Sequence, residues 1–294
     1  MASQLPETPA APQPPGRRLP AAQLALEAYW LVTRHPLAYG GQILVLSALA
    51  MIIQSVMTIL VDGFSAGADP QWRVVAEVAD YAGTAVAILL FGGTTIFISC
   101  QRAIIIGEPP AMRHALRLRR GDLPVLRALC LYWLIVHLVP TLVAQINNVA
   151  QSVPLDWFPQ EPFMMANFAF YWAWVLATAP LVVLSLPITL FEAAAAPIAE
   201  ARRRLDGNTG RLLAASAIAL APLGTVEVVM YQLQQGGWVP FKGDQDPTGF
   251  LNFLFFSAVQ NVESFTIILV MSALVGAAYL RLSPKFEPIY RVFD

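Results

Sequence analysis

Long apolar segments constrain the fold of this chain more than any other feature of its sequence. A helix needs roughly 20 mostly apolar residues to cross the hydrocarbon core of a bilayer, because the core is about 30 Å thick and a helix rises about 1.5 Å per residue. Six segments meet this requirement, at Leu37 to Val61, Val78 to Cys100, Leu123 to Ile146, Phe168 to Phe191, Arg211 to Gln232 and Leu251 to Leu280. The sequence therefore predicts an all-α integral membrane protein with six transmembrane helices.

The composition supports the same class and disfavours several functions. Hydrophobic residues make up 57% of the chain and charged residues only 13%, whereas a soluble domain carries about 25% charged residues. The net charge of −1 offers no basic surface for nucleic acid. The sequence contains no phosphate-binding loop, nucleophile elbow or zinc-protease helix. Its two cysteines lack metal-ligand spacing. We therefore expect no enzymatic activity, no cofactor and no metal.

The distribution of basic residues predicts the orientation in the membrane. If the N-terminus is cytoplasmic, all of the 18 lysines and arginines except Arg73 and Lys242 lie on the cytoplasmic side, as the positive-inside rule requires. An even number of spans then leaves both termini inside. We expect a multi-pass protein of the bacterial inner membrane. Its parts are a disordered cytoplasmic tail at 1–19, a transmembrane domain at 20–283 and a cytoplasmic tail at 284–294.

Three similar segments precede the three predicted helical hairpins. They begin at Pro20, Pro110 and Pro197, and proline is tolerated at a helix start because its missing N–H needs no partner there. Apolar residues recur among the basic ones at helical spacing, and Gly207 predicts the end of the third segment. The predicted architecture is three hairpins, each preceded by a cytoplasmic amphipathic helix that lies in the membrane interface.

The third of these segments also carries a family resemblance. Its sequence is PIAEARRRLDGNTGRLL, from Pro197, and an apolar helix follows it. This run resembles bacterial six-span inner-membrane proteins that are similar to the membrane domain attached to some glycerophosphodiester phosphodiesterases, with Gly207, Gly210 and Arg211 at the turn before the fifth span. The resemblance implies the six-span layout over most of residues 20–285. The phosphodiesterase activity of that family belongs to a separate soluble barrel, so the resemblance implies no catalytic residue here.

Polar side chains within the predicted spans form a candidate intramembrane site. Its members are Glu227, Glu263, Gln260, His137, Thr141 and Gln145. The two glutamates lie in consecutive antiparallel spans, and the last three residues share one face of the third span. Ionisable groups at membrane depth are costly and often functional. These side chains would form either a polar cavity with a proton relay or a set of interhelical hydrogen bonds.

Small residues in two spans predict close contacts between helices. Gly92-Gly93 lies in the second predicted span, and Ser272-x-x-x-Gly276 lies in the sixth. Such residues allow helix backbones to approach each other.

The arginines of the second and third cytoplasmic segments are the candidate contacts for anionic lipids or for a partner protein. They are Arg113, Arg117, Arg119, Arg120, Arg202, Arg203 and Arg204. Orientation alone would also explain these charges. Three functions remain open. The favoured one is an accessory, organising or lipid-associated membrane protein. The alternatives are a small-solute transporter or channel that uses Glu227, Glu263 and the polar face of the third span, and an intramembrane enzyme acting on lipid. A homo-oligomer is compatible with each of them.

Overall fold

The computed structural model describes residues 18–65, 92–132, 177–192, 194–235 and 247–283. These residues are mostly helical, and no strand occurs among them. The helices are α1 (Ala21–Thr33), α2 (Pro36–Ser65), α3 (Thr94–Ile105), α4 (123–132), α5 (Ala177–Phe191), α6 (Pro197–Leu205), α7 (Thr209–Gln235) and α8 (Pro247–Leu282). Short 3-10 helices occupy Met112–Leu116 and Arg120–Asp122. The predicted all-α class is therefore confirmed for this part of the chain.

Three of the described helices are long and apolar enough to cross a membrane. Their candidate spans are Pro36–Val56 in α2, Thr209–Val226 in α7 and Ala258–Leu282 in α8. Helices α3 and α5 are apolar but shorter. Residues 78–91, 133–146 and 168–176 of the other predicted spans lie outside the described residues, as do most of the two predicted tails. The six-span arrangement in three hairpins stays a prediction.

Helix α8 is the central element of the described structure. It packs against α1, α2, α3 and α7, and its Phe265, Leu274 and Tyr279 are buried. By contrast, α2 exposes Leu37 and Leu44. An exposed apolar surface of this kind suits lipid, because lipid tails are as apolar as the side chains that meet them.

Two glycines allow α8 to approach its neighbours closely. A Cβ atom on Gly92 would lie 1.9 Å from Cε1 of Phe265 in α8. A Cβ atom on Gly276 in α8 would lie 3.0 Å from Cδ1 of Ile104 and 3.2 Å from Oε1 of Gln101, both in α3. No larger side chain fits at Gly92 without displacing the aromatic ring. The close packing predicted from these small residues is therefore confirmed.

The three segments that begin with proline fold differently from one another. The first and third are the α-helices α1 and α6, and Gly207 ends α6 with a φ of 71°, as predicted. The second forms only two short 3-10 helices, so the prediction of an α-helix there is wrong. The carboxylate of Asp122 accepts a hydrogen bond from the backbone N–H of Arg119 at 2.7 Å. Such side-chain bonds offer the backbone an alternative to a continuous helix.

Helix α1 is less amphipathic than we predicted for a helix that lies in the membrane interface. Its Leu24, Ala25 and Ala28 are buried, because the helix packs against α7 and α8. Leu26 and Trp30 are nevertheless exposed on its other side. The Tyr29 hydroxyl donates a hydrogen bond to the carbonyl oxygen of Ala219 at 2.6 Å. The first segment is thus bound to the helical bundle and has apolar residues on both of its faces.

Candidate functional site

Four ion pairs that do not lie within one helix occur at one end of the helical bundle. They are Arg102–Asp122, Arg119–Glu108, Arg204–Glu192 and Arg281–Glu27. This end contains the segment at 107–122, α6, the last residues of α3 and the last residues of α8, and we call it the arginine-rich end. Arginines whose charges predict the orientation in the membrane therefore also hold the segments that begin with proline against the helices.

A buried network surrounds Arg204. Its guanidinium donates two parallel hydrogen bonds to Glu192, at 2.8 and 2.7 Å, and its Nε donates a third to Glu200 at 2.7 Å. The Tyr279 hydroxyl donates to the same Glu192 carboxylate at 2.6 Å. The side chains of Arg204 and Glu192 are only 8% and 9% exposed. The network therefore joins the residue that follows α5 to α6 and to the C-terminal turns of α8.

The protonation equilibria of this network favour its charged form. Burial alone would lower the pKa of Arg204, but its hydrogen bonds with Glu192 and Glu200 raise that pKa. Hydrogen bonds from Arg203, and then from Arg204, hold the pKa of Glu200 below its ordinary value. Arg202 and Arg203 remain exposed on the surface of α6. Only Arg204 of the three consecutive arginines is enclosed, and its donors already bind carboxylates.

A small pocket of about 20 Å³ lies between α3 and the segment at 107–119. Its lining consists of Thr95, Ile98, Ser99, Arg102, Glu108, His114, Arg117, Leu118 and Arg119. Thr95 and Ser99 are buried, at 4% and 6% exposure, whereas Arg117 and Arg119 are exposed. Buried hydroxyls and exposed guanidinium groups therefore line the same pocket. The volume suffices for about one water molecule.

Cations dominate the electrostatics of this pocket. Arg102 is bound to the buried Asp122 at 2.5 Å, and Arg119 is bound to Glu108. The hydrogen bond from Arg119 lowers the pKa of Glu108, and Arg102 lowers it further. Burial lowers the pKa of His114, and the nearby Arg113, Arg119 and Arg102 add to this effect against the attraction of Glu108. His114 is therefore neutral at pH 7, and Glu108 is ionised.

Apolar side chains are exposed beside the exposed arginines of the same end. Met112 and Leu116 are 58% and 64% exposed in the segment that carries the exposed Arg113, Arg117 and Arg120. Ile198 of α6 is 56% exposed, near Arg202 and Arg203 in sequence. This mixture of exposed apolar and cationic side chains is typical of segments that lie in a membrane interface.

The turn between α6 and α7 contains a contact that the sequence analysis did not find. The side-chain oxygen of Asn208 accepts a hydrogen bond from the backbone N–H of Leu19 at 2.9 Å. Asn208 is 2% exposed and Leu19 is also 2% exposed. Gly207 and Asn208 together therefore end α6 and bind the residues that precede α1. The pattern GNTGR showed a turn but gave no indication of its partner.

Four of the six side chains of the candidate intramembrane site lie outside the described part of the structure. His137, Thr141 and Gln145 lie outside the described residues, and for Glu227 only the backbone position in α7 is described. Gln260 is exposed and Glu263 is partly buried in α8. Beside them, the Asn261 side chain donates a hydrogen bond to the Gln54 side chain of α2 at 3.0 Å. This bond connects α8 to α2. A shared polar cavity, and the transporter function that depends on it, stay predictions.

Comparisons with known proteins do not identify a family for this chain. Comparison with protein-family models, with curated proteins and with solved structures gives no match. The resemblance to the membrane domain of glycerophosphodiester phosphodiesterases is thus not tested by them. Within the described ranges, no group of three or more His, Cys, Asp or Glu side chains is placed to hold a metal ion.

Proposed function

We propose that this chain is a non-catalytic membrane protein of the bacterial inner membrane, an accessory or organising component that binds anionic lipid headgroups at its arginine-rich end. The observation that carries the proposal is the exposed side of residues 112–120. Arg113, Arg117 and Arg120 are exposed there together with Met112 and Leu116. The apolar groups suit the acyl boundary and the guanidinium groups suit the phosphates beside it.

The proposal includes a topology with six spans and both termini in the cytoplasm. It is supported by the concentration of arginine and lysine in the alternate loops and by the three described helices of sufficient length. In this orientation the arginine-rich end meets the cytoplasmic leaflet, where anionic lipids attract each basic residue by about 1 kcal/mol. Reporter fusions at residue 294 and within 236–246 test this topology, with a cytoplasmic signal expected from the first and an external signal from the second.

Lipid preference in nanodiscs tests the lipid function. The full chain is placed in mixtures of phosphatidylcholine and phosphatidylglycerol, and native mass spectrometry measures the lipids that remain bound. Three near-surface charges contribute about 3 kcal/mol, or roughly a hundredfold. We therefore expect the triple change Arg113→Gln, Arg117→Gln and Arg120→Gln to reduce the preference for phosphatidylglycerol at least tenfold.

A control that preserves the charges completes this experiment. The same three positions changed to lysine keep their charges, so the preference for phosphatidylglycerol should persist. Unchanged preference in the glutamine variant would contradict lipid binding at these arginines. A stoichiometric second protein in spectra from the native membrane would identify the component that this accessory protein serves.

A further inference from the structure

The pocket between α3 and the segment at 107–119 differs from the rest of the arginine-rich end in its shape and its donors. Most arginines at this end are either exposed or bound to carboxylates. The lining of the pocket contains arginines of both kinds together with buried hydroxyl groups. Ser99 accepts a hydrogen bond from the Gln42 amide at 3.0 Å. Its own hydroxyl proton has no acceptor among the described residues, so it can be donated to a ligand. A donor of this kind at 6% exposure favours a ligand that carries acceptor atoms.

The charges of the pocket leave one cation without a carboxylate. Arg102 is paired with Asp122, and Arg119 is paired with Glu108. Arg117 lines the same pocket and has no acidic partner among the residues that the structure describes. Arginine presents five N–H donors and no acceptor. The pocket therefore has donors in excess and a surplus of positive charge.

The number of donors in the lining favours one kind of oxyanion over another. A carboxylate offers two oxygens, and Glu108 already supplies one such group to Arg119. A phosphate group offers more acceptor oxygens than a carboxylate does, and therefore suits a lining that contains both the Arg117 guanidinium and the Ser99 hydroxyl. The 20 Å³ volume admits about one water-sized group, such as a single phosphate oxygen. The other oxygens of the phosphate, and the rest of such a ligand, would lie on the exposed side with Arg117.

We propose that this pocket binds a single phosphate group, with Arg117 as its principal cationic contact and Ser99 as a buried donor. This inference deepens the proposed function and rests on it in one respect, namely that a lipid headgroup supplies the phosphate. A free phosphate or phosphomonoester has the same chemistry and is the other source. Glu108 opposes either ligand, because its carboxylate lies in the same lining and occupies Arg119.

Single substitutions in the full chain test the pocket. Arg117→Gln removes the cation that has no acidic partner among the described residues. Arg127→Gln is the control, since Arg127 is exposed in α4 and does not line the pocket. Glu108→Gln removes the opposing carboxylate. We expect one phosphatidylglycerol per chain to survive delipidation. Its retention should fall at least tenfold in Arg117→Gln, change less than twofold in Arg127→Gln and rise in Glu108→Gln.

A second measurement separates the two phosphate sources. Inorganic phosphate is titrated by calorimetry into the delipidated protein in detergent. Binding that Arg117→Gln weakens, without a retained lipid, supports the pocket and assigns it a soluble phosphate. Retention of phosphatidylglycerol alone supports the pocket and assigns it a lipid headgroup.

Results that would contradict the phosphate pocket differ from results that would contradict lipid binding at the arginine-rich end. Equal effects of Arg117→Gln and Arg127→Gln would overturn the pocket, while a loss of lipid preference in the triple variant would leave the proposed function in place. No effect in any of these variants would overturn both. Opposite effects of Arg117→Gln and Glu108→Gln would exclude a merely structural role, since loss of folding would weaken binding in both.

Discussion

Substitution of Arg204 by glutamine tests whether the buried network at the end of α8 stabilises the fold. Arg204 makes three hydrogen bonds of 2.7–2.8 Å to Glu192 and Glu200, and its side chain is 8% exposed. Removing one partner of a buried ion pair costs roughly 3–5 kcal/mol, because it leaves the other charge buried and uncompensated. Since Glu192 keeps its bond from the Tyr279 hydroxyl, we expect about 3 kcal/mol, the lower end of that range.

Arg203 provides the matched control within the same run of arginines. It binds Glu200 at 2.8 Å, but its side chain is 61% exposed. Exposed pairs at i,i+3 and i,i+4 contribute about 0.5 kcal/mol or less. The free energy of unfolding is measured for each full-length variant by titration with sodium dodecyl sulfate in mixed micelles, followed by circular dichroism. Arg204→Gln should destabilise the protein several times more than Arg203→Gln.

The double variant Glu192→Gln with Arg204→Gln isolates the pair itself. It removes both charges, so we expect it to cost less than the sum of the two single changes. Equal effects of Arg203→Gln and Arg204→Gln, or a loss below about 1 kcal/mol in Arg204→Gln, would refute the reasoning from burial. Strict additivity in the double variant would show that Glu192 and Arg204 do not interact.

Two further predictions concern helix packing and pH. Gly92→Ala should cost about 1–3 kcal/mol in the same unfolding assay, because its Cβ would lie 1.9 Å from the Phe265 ring; Gly224→Ala is the control, since a Cβ there meets nothing within 4 Å, and an equal loss in both would contradict the prediction. The pKa of His114 is lowered below its ordinary value of 6.5, so the folded protein keeps it neutral at pH 7 and gains its positive charge only as the pH falls below 6.5. Retention of phosphatidylglycerol should therefore stay level between pH 7.5 and 6.5 and rise as the pH falls further, where Glu108 with its lowered pKa stays ionised. His114→Gln should abolish that rise, and a rise that persists in this variant would exclude this cause.

Local sequence patterns predicted several elements of the fold correctly, because each depends on few neighbouring residues. The apolar segments predicted the first and last residues of α2, α7 and α8 to within a few residues. Gly207 predicted the end of α6, since few residues other than glycine adopt its positive φ readily. Gly92 and Gly276 predicted close helix contacts. The same kind of pattern failed after Pro110, where the Asp122 carboxylate bonds the backbone of Arg119 and the chain forms 3-10 turns.

The arginines show most clearly what a sequence determines and what it leaves to the tertiary structure. Their number and spacing predicted an orientation, because that rule depends on which loops carry the charge. Three identical neighbours, Arg202, Arg203 and Arg204, could not be told apart, since their environments depend on Glu192 and on α8, both of which lie outside the segment that carries them. Only the folded structure encloses Arg204 between Glu192 and Tyr279 and leaves Arg117 beside a pocket without an acidic partner among the described residues. Burial and pairing are properties of distant contacts, and they decide which of these equal charges stabilises the fold and which is available to a ligand.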